Sequence, residues 1–93
     1  MTDAVTYRES SNPTISERQV GISNIWARDL PDKNGTVASR MSAQLTIYDP
    51  ATKKSVKEIV YAGSVVAIGA AHYAVTSVEA GKGGPGSITL KKQ

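Results

Sequence analysis

The stretch VVAIGAAHYAVTSV, residues 65–78, is the most apolar part of the chain and decides its fold. β-Branched and aromatic residues fill both of its ends, and Gly69 lies between them. Residues of these types favour strands, and glycine adopts the positive φ angles of tight turns at no steric cost. The stretch therefore predicts a β-hairpin, with one strand over 65–68, a turn over 69–71 and a returning strand over 73–78.

A helix and a membrane span are the alternatives to the hairpin, and both fit this stretch less well. Its alanines would tolerate a helix, although the β-branched residues favour the hairpin. A membrane span needs about 18 apolar residues in succession, and Gly69, His72 and Thr76 interrupt the run before that length. The hairpin resembles the strand, glycine turn and aromatic strand of small bacterial β-barrels, including SH3-like ones. That resemblance implies a β fold and assigns no functional residue.

Alternating polarity predicts further strands. Residues 37–48 show the clearest period of two, which is typical of a strand with one face buried. Residues 15–28 alternate with a break near 23–25, where we expect a bulge or a twist. Residues 55–61 place Glu58 among the valines, which indicates either an edge strand or a change of phase.

Turn-forming residues separate these segments. DLPDKNGT at 29–36 and the glycine-rich EAGKGGPGS at 79–87 predict exposed loops. Asp49 and Pro50 predict a type I turn between two strands of a hairpin, since Asp bonds its own downstream amides and Pro fixes φ. The closing segment SITLKK predicts a last strand with Ile88 facing inward.

The sequence therefore predicts an all-β fold. We expect a small antiparallel β-barrel or sandwich of about six or seven short strands with little or no helix. A flexible N-terminal arm over 1–13, with a short strand at 5–8, precedes a single β-domain over 14–93. A single helical turn near 12–18 is an alternative there, because Thr14 could cap it.

Composition limits the classes of function. The chain has 93 residues, a net charge of +3 and no cysteine, so it forms one domain without disulfides or thiolate metal sites. Its first residues, MTDAVTYRESSNP, lack a basic segment followed by an apolar run, so no signal peptide is expected and a cytoplasmic location is favoured. We expect no membrane association.

Catalytic and cofactor chemistry find little support. His72 is the only histidine, and neither a paired carboxylate nor a second metal ligand accompanies it in the sequence. The segment GKGGPGS differs from a phosphate-binding loop, because its lysine precedes the glycines and a strand follows instead of a helix. We therefore expect no catalytic residues, no cofactor and no metal.

A binding role is the remaining class. The candidate interaction surface comprises aromatic and basic residues of the predicted strands and turns: Trp26, Arg28, Tyr48, Lys53, Lys54, Lys57 and Tyr61. A chain without Phe needs its largest side chain in the core, so burial of Trp26 is favoured. The alternative places Trp26 with Arg28 and the 29–36 loop in a contact patch, since Trp, Tyr and Arg are over-represented in binding hot spots.

The sequence thus favours a small non-enzymatic protein that acts by binding another protein. An inhibitor or toxin-neutralising factor is one form of this role, and an assembly component of a phage or secretion apparatus is another. A nucleic-acid-binding small β-barrel is the alternative, because aromatic platforms beside lysines suit single strands, although acidic residues nearly balance the basic ones. Open strand edges would also allow a homo-oligomer.

Overall fold

The computed structural model describes residues 4–81 and 84–93, where all regular secondary structure is β-strand. The strands are β1 (Ala4–Arg8), β2 (Thr14–Ile15), β3 (Arg18–Pro31), β4 (Val37–Asp49), β5 (Lys54–Tyr61), β6 (Val65–Ile68), β7 (Ala71–Glu79) and β8 (Ser87–Lys92). Within these ranges no helix is long and apolar enough to cross a bilayer.

The strands form two four-stranded antiparallel sheets that pack face to face. Sheet A has the order β1-β8-β7-β6, and sheet B has the order β2-β3-β4-β5. The prediction of a small all-β barrel or sandwich is confirmed. The strand beyond the predicted number is β2, whose two residues are too few for an alternating pattern to reveal.

The core between the sheets is aliphatic. Alternate residues of the strands supply it, as the period of two in β4 predicts. The buried hydrophobic residues are Ile15, Val20, Ile22, Ile25, Ala43, Leu45, Val60, Val66, Ile68, Val75, Val78, Ile88 and Leu90. Tyrosines pack only at the margin of this core, where Tyr7 and Tyr73 are partly buried.

The β6–β7 hairpin confirms the expectation for residues 65–78. Gly69 has a φ of 61° in the turn, and Ile68 lies opposite Ala71 as the last pair of the ladder. Because β7 begins at Ala71, two residues earlier than predicted, His72 lies in a strand and not in the turn.

The N-terminal segment is part of the fold. Ala4–Arg8 forms β1 and pairs along its length with β8, and Ser10 N–H then donates to Ile22 O on β3 (2.7 Å). Main-chain hydrogen bonds thus join both sheets to the described part of segment 1–13, for which the sequence predicts a flexible arm. Residues 1–3 lie outside the described residues.

Other connections also refine the predictions. In place of a helical turn near 12–18, Ser16 and Glu17 adopt left-handed φ angles of 48° and 64° in the tight turn between β2 and β3. The 29–36 loop is shorter than expected, because β3 continues to Pro31.

Asp49 acts as predicted, since its Oδ1 accepts a hydrogen bond from Ala51 N–H (2.9 Å). The 79–87 loop includes Lys82 and Gly83, which lie outside the described residues.

Candidate interaction surface

The outer face of sheet B carries a row of three paired residues. Trp26 of β3 lies opposite Ser42 of β4, and Ser42 lies opposite Tyr61 of β5. Side chains of directly paired residues point to the same face of a sheet. The neighbouring β4 residue Ala43 is buried in the core, so this row faces away from sheet A.

A β-bulge places Trp26 on this outer face. The register of β3 shifts between Ser23 and Trp26, so that Asn24 and Ile25 together oppose the single residue Ala43 of β4. Asn24 has a φ of 53°, which asparagine tolerates better than most residues. The extra residue reverses the alternation, so Ile25 enters the core and Trp26 is 51% exposed. The favoured prediction of a buried Trp26 is therefore wrong.

Glu9 holds the bulge against the other sheet. Its carboxylate accepts hydrogen bonds from Ile25 N–H (2.8 Å) and from Gly86 N–H (3.1 Å), just ahead of β8. These two donors keep the pKa of Glu9 below its usual value. We call Glu9, Ile25 and Gly86 the bulge clamp. The bulge clamp fixes the position of the bulge, after which Trp26 is the first residue of β3 on the outer face.

Arg28 and Ser42 fix Trp26 in place. The guanidinium carbon of Arg28 lies 4.8 Å from the centroid of the Trp26 ring, within cation–π range. Arg28 Nη1 donates to Asn24 O (3.0 Å) and to Ser42 Oγ (2.6 Å). Ser42 Oγ in turn donates to Trp26 O (2.9 Å). Ser42 is fully buried on an otherwise solvated face because the Arg28 side chain covers it.

A second arginine–aromatic pair lies beside the first. Arg40 places its guanidinium carbon 5.2 Å from the Tyr61 ring centroid, and its Nε donates to Leu30 O (3.0 Å). Tyr61 Oη donates to Pro31 O (2.9 Å), which ties β5 to the end of β3. Because Arg28 and Arg40 are directly paired across β3 and β4, both pairs lie on the outer face. We call Trp26, Arg28, Arg40 and Tyr61 the platform.

Hydrogen bonds to Asp32 close the tip of the hairpin between β3 and β4. Asp32 Oδ1 accepts hydrogen bonds from Thr36 N–H (3.0 Å) and Asn34 N–H (2.8 Å), and these two bonds lower the pKa of Asp32. The Arg40 guanidinium group, 3.8 Å from Asp32 Oδ2, lowers it further. A recess of about 310 Å³ lies between this tip and Gly63, and Arg40 and Tyr61 line it. The platform thus has a neighbouring depression into which a partner side chain could fit.

Replacing Ser42 tests whether this network holds the platform. We expect Ser42→Ala to cost about 1–2 kcal/mol of unfolding free energy, because it leaves the Trp26 carbonyl and an Arg28 donor without a partner. The Trp26 fluorescence should change as well, since Arg28 loses an anchor. Ser39→Ala, at an exposed position on the opposite face of β4, should stay within about 0.5 kcal/mol of the parent. Equal effects of the two substitutions in urea unfolding would contradict this role of Ser42.

The structure separates the sequence-predicted surface into two groups. One group lies in the platform and comprises Trp26, Arg28 and Tyr61. Tyr48 lies on the same face of sheet B, six residues along β4 from Ser42 and about 20 Å away. The remaining predicted residues are Lys57, which faces outward between the two ends, and Lys53 and Lys54, which lie at the β4–β5 turn.

Arg40 and Ser42 were not among the predicted site residues. Both share the outward alternation of β4 with Tyr48, so the period of two could have identified them as surface residues. Nothing in the sequence shows that Arg40 meets Tyr61, which lies twenty-one positions further along the chain.

His72 lies away from the platform. It lines a cleft of about 480 Å³ at the end of the sandwich, together with Ser16, Arg18 and Lys92. Over residues 4–81 and 84–93, no group of three or more His, Cys, Asp or Glu residues is arranged to hold a metal ion.

Comparison with known proteins returned no matching family model, no matching curated protein and no matching solved structure.

Proposed function

We propose that this chain is a non-enzymatic binding protein that recognises an acidic and partly apolar surface of another protein through the platform. The observation that supports this most is the exposure of Trp26, the only tryptophan, at a position where the Arg28 guanidinium group lies over its ring and Ser42 Oγ donates to its main-chain carbonyl. An exposed aromatic side chain costs free energy in water and gains it on burial by a partner. A side chain already fixed in its bound position loses little entropy on binding.

The charges of the platform define the partner. Arg28 forms no ion pair with a carboxylate in the described part of the chain, and Arg40 has only the partly exposed Asp32 nearby. A partner that offers carboxylates above the two guanidinium groups would form bidentate contacts and cover the aromatic rings with apolar groups. An inhibitor or toxin-neutralising factor needs such a surface, and so does an assembly component of a phage or secretion apparatus.

The nucleic-acid alternative has weaker support from the same residues. Single-strand binding needs a basic track that follows the nucleic-acid backbone as well as aromatic rings for the bases. The lysines that would extend a basic track lie mostly at the far turn, by Lys53 and Lys54. Trp, Tyr and Arg clustered in one rigid patch are the composition typical of a protein–protein hot spot.

The test is loss of partner binding by Trp26→Ala. A partner captured by the tagged protein from extract of its source cell, with nuclease present, should bind this variant at least about 30-fold more weakly, because a hot-spot residue contributes about 2 kcal/mol or more. Arg28→Ala should weaken binding in the same direction. Titration of the purified partner, followed by calorimetry, measures both effects.

Val65→Ala is the matched control, since it removes an exposed apolar side chain from β6 of sheet A. It should leave the affinity unchanged. A partner that binds Trp26→Ala as well as it binds the parent would overturn the proposal. Capture that nuclease abolishes, with an affinity that falls steeply with salt, would instead support the nucleic-acid alternative.

A further inference from the structure

No strand of the described residues neighbours the outer edge of β5. β5 pairs with β4 along one edge, and no main-chain hydrogen bond of the described residues joins the other edge of residues 54–60 to another segment. Val56 is 55% exposed and Ile59 is 41% exposed, one on each face of the strand. An exposed edge of this length, about 23 Å, is a template for pairing with another chain.

A second copy of the chain could pair with this edge only in certain registers. Two identical antiparallel strands are related by a two-fold axis perpendicular to the sheet, so side chains that face each other lie on the same face. At the axis, one residue of β5 then lies directly opposite the same residue of the second copy. The residues of β5 decide which position can take this central place.

The two charged residues at the middle of β5 exclude the registers centred on them. A centre at Lys57 would place two lysines directly opposite each other, and a centre at Glu58 would do the same with two glutamates. Like charges in directly opposed positions destabilise a strand pair. A centre at Ile59 would leave both copies of Glu58 opposite Val60, with no charge partner.

The register centred on Val56 places no like charges opposite each other. Val56 faces Val56 of the second copy, and Lys54 faces Glu58 of the second copy on both sides of the axis. Ser55 faces Lys57 on the other face of the sheet. One apolar pair and two opposite-charge pairs then lie in line, and each such pair stabilises an antiparallel ladder.

We propose that β5 is a self-association strand, through which two copies of this chain pair over residues 54–58 with Val56 at the two-fold axis. Two copies of sheet B then form one eight-stranded sheet. Because the axis is perpendicular to that sheet, the two platforms lie on the same side of the dimer. A partner with repeated acidic sites would bind such a dimer with higher avidity than a monomer.

Analytical ultracentrifugation of the full chain over a range of concentrations is the test. We expect a reversible monomer–dimer equilibrium that weakens with added salt, since opposite-charge pairs at the surface are screened. Lys54→Glu and Glu58→Lys should each weaken dimerisation at least about tenfold, because each places like charges opposite each other at two positions. The double variant Lys54→Glu/Glu58→Lys should restore the dimer.

Recovery of the dimer in the double variant would show that the single substitutions act on pairing between chains and not on the fold of one chain. Lys54 and Glu58 lie four residues apart on one strand, about 13 Å, so they do not contact each other within a monomer. Lys91→Glu, an equal change of charge at an exposed position of β8, should leave dimerisation unchanged. A chain that stays monomeric at every concentration would overturn the proposal, and so would a dimer that the single reversals do not weaken or the double variant does not restore.

Discussion

Replacing Gly69 with alanine should destabilise the fold by about 2–4 kcal/mol. Two costs add together. A φ of 61° costs alanine about 1 kcal/mol or more that glycine does not incur. The added Cβ would also lie 2.6 Å from Ser16 O, in the turn between β2 and β3, so one of the two turns must move. Thermal unfolding should report the loss as a fall in Tm of about 10 °C or more.

Gly35→Ala provides the matched control for this prediction. Gly35 also has a left-handed φ, 84°, but a Cβ there would meet no atom of the described residues within 4 Å. It therefore isolates the conformational cost, about 1 kcal/mol. If the two variants lose the same stability, the contact between the β6–β7 turn and the β2–β3 turn does not constrain the packing of the sheets.

Much of the strand architecture was predictable because it depends on local pattern. The alternation over residues 37–48 predicted β4, since a strand half in the core must alternate polarity. Gly69 predicted the hairpin, and Asp49 predicted the turn before β5. Glu58 indicated either an edge strand or a change of phase, and the structure shows an edge strand, where a charged side chain remains solvated.

Trp26 shows where local pattern fails. Val20, Ile22 and Trp26 share one parity in the sequence, so uninterrupted alternation places all three in the core. The break in alternation predicts a bulge or a twist near residues 23–25, and the structure has a bulge, whose extra residue exchanges inside and outside for the residues that follow. That exchange moves the tryptophan from the core to the platform.

The long-range contacts of the candidate site could not be predicted from local pattern. The carboxylate of Glu9 meets Gly86 N–H across seventy-seven positions of sequence, and Arg40 meets Tyr61 only because β4 and β5 pair. These contacts depend on the order of strands in each sheet, which periodicity does not encode. The pairing of β1 with β8, at opposite ends of the chain, is of the same kind.

Glu9→Gln should lower the unfolding free energy by about 1 kcal/mol at neutral pH, because solvent around this carboxylate weakens the two hydrogen bonds that it accepts. A glutamine amide keeps the shape of the side chain but has one oxygen, so either Ile25 N–H or Gly86 N–H faces an NH₂ group and loses its acceptor. Because the bulge clamp also sets the orientation of Trp26, the tryptophan fluorescence of the folded variant should shift. Urea unfolding followed by circular dichroism measures the loss of stability.

The pH dependence of this effect follows from the sign of the pKa shift. The folded state holds the pKa of Glu9 below its usual value, so the carboxylate contributes stability above the unfolded-state pKa of about 4.3. That contribution disappears as the pH falls through the lower pKa of the folded state. The difference in stability between the parent and Glu9→Gln should therefore be full at pH 7 and shrink toward zero in acid.

Comparing two proteins at each pH removes the contribution of the other carboxyl groups, including Asp32, whose pKa is also lowered. Glu79→Gln, at the exposed end of β7, is the control and should follow the parent at every pH. A Glu9→Gln variant that is as stable as the parent at pH 7, or a difference that does not change with pH, would show that the carboxylate does not hold the bulge. Trp26 would then owe its outward position to the register of β3 and β4 alone.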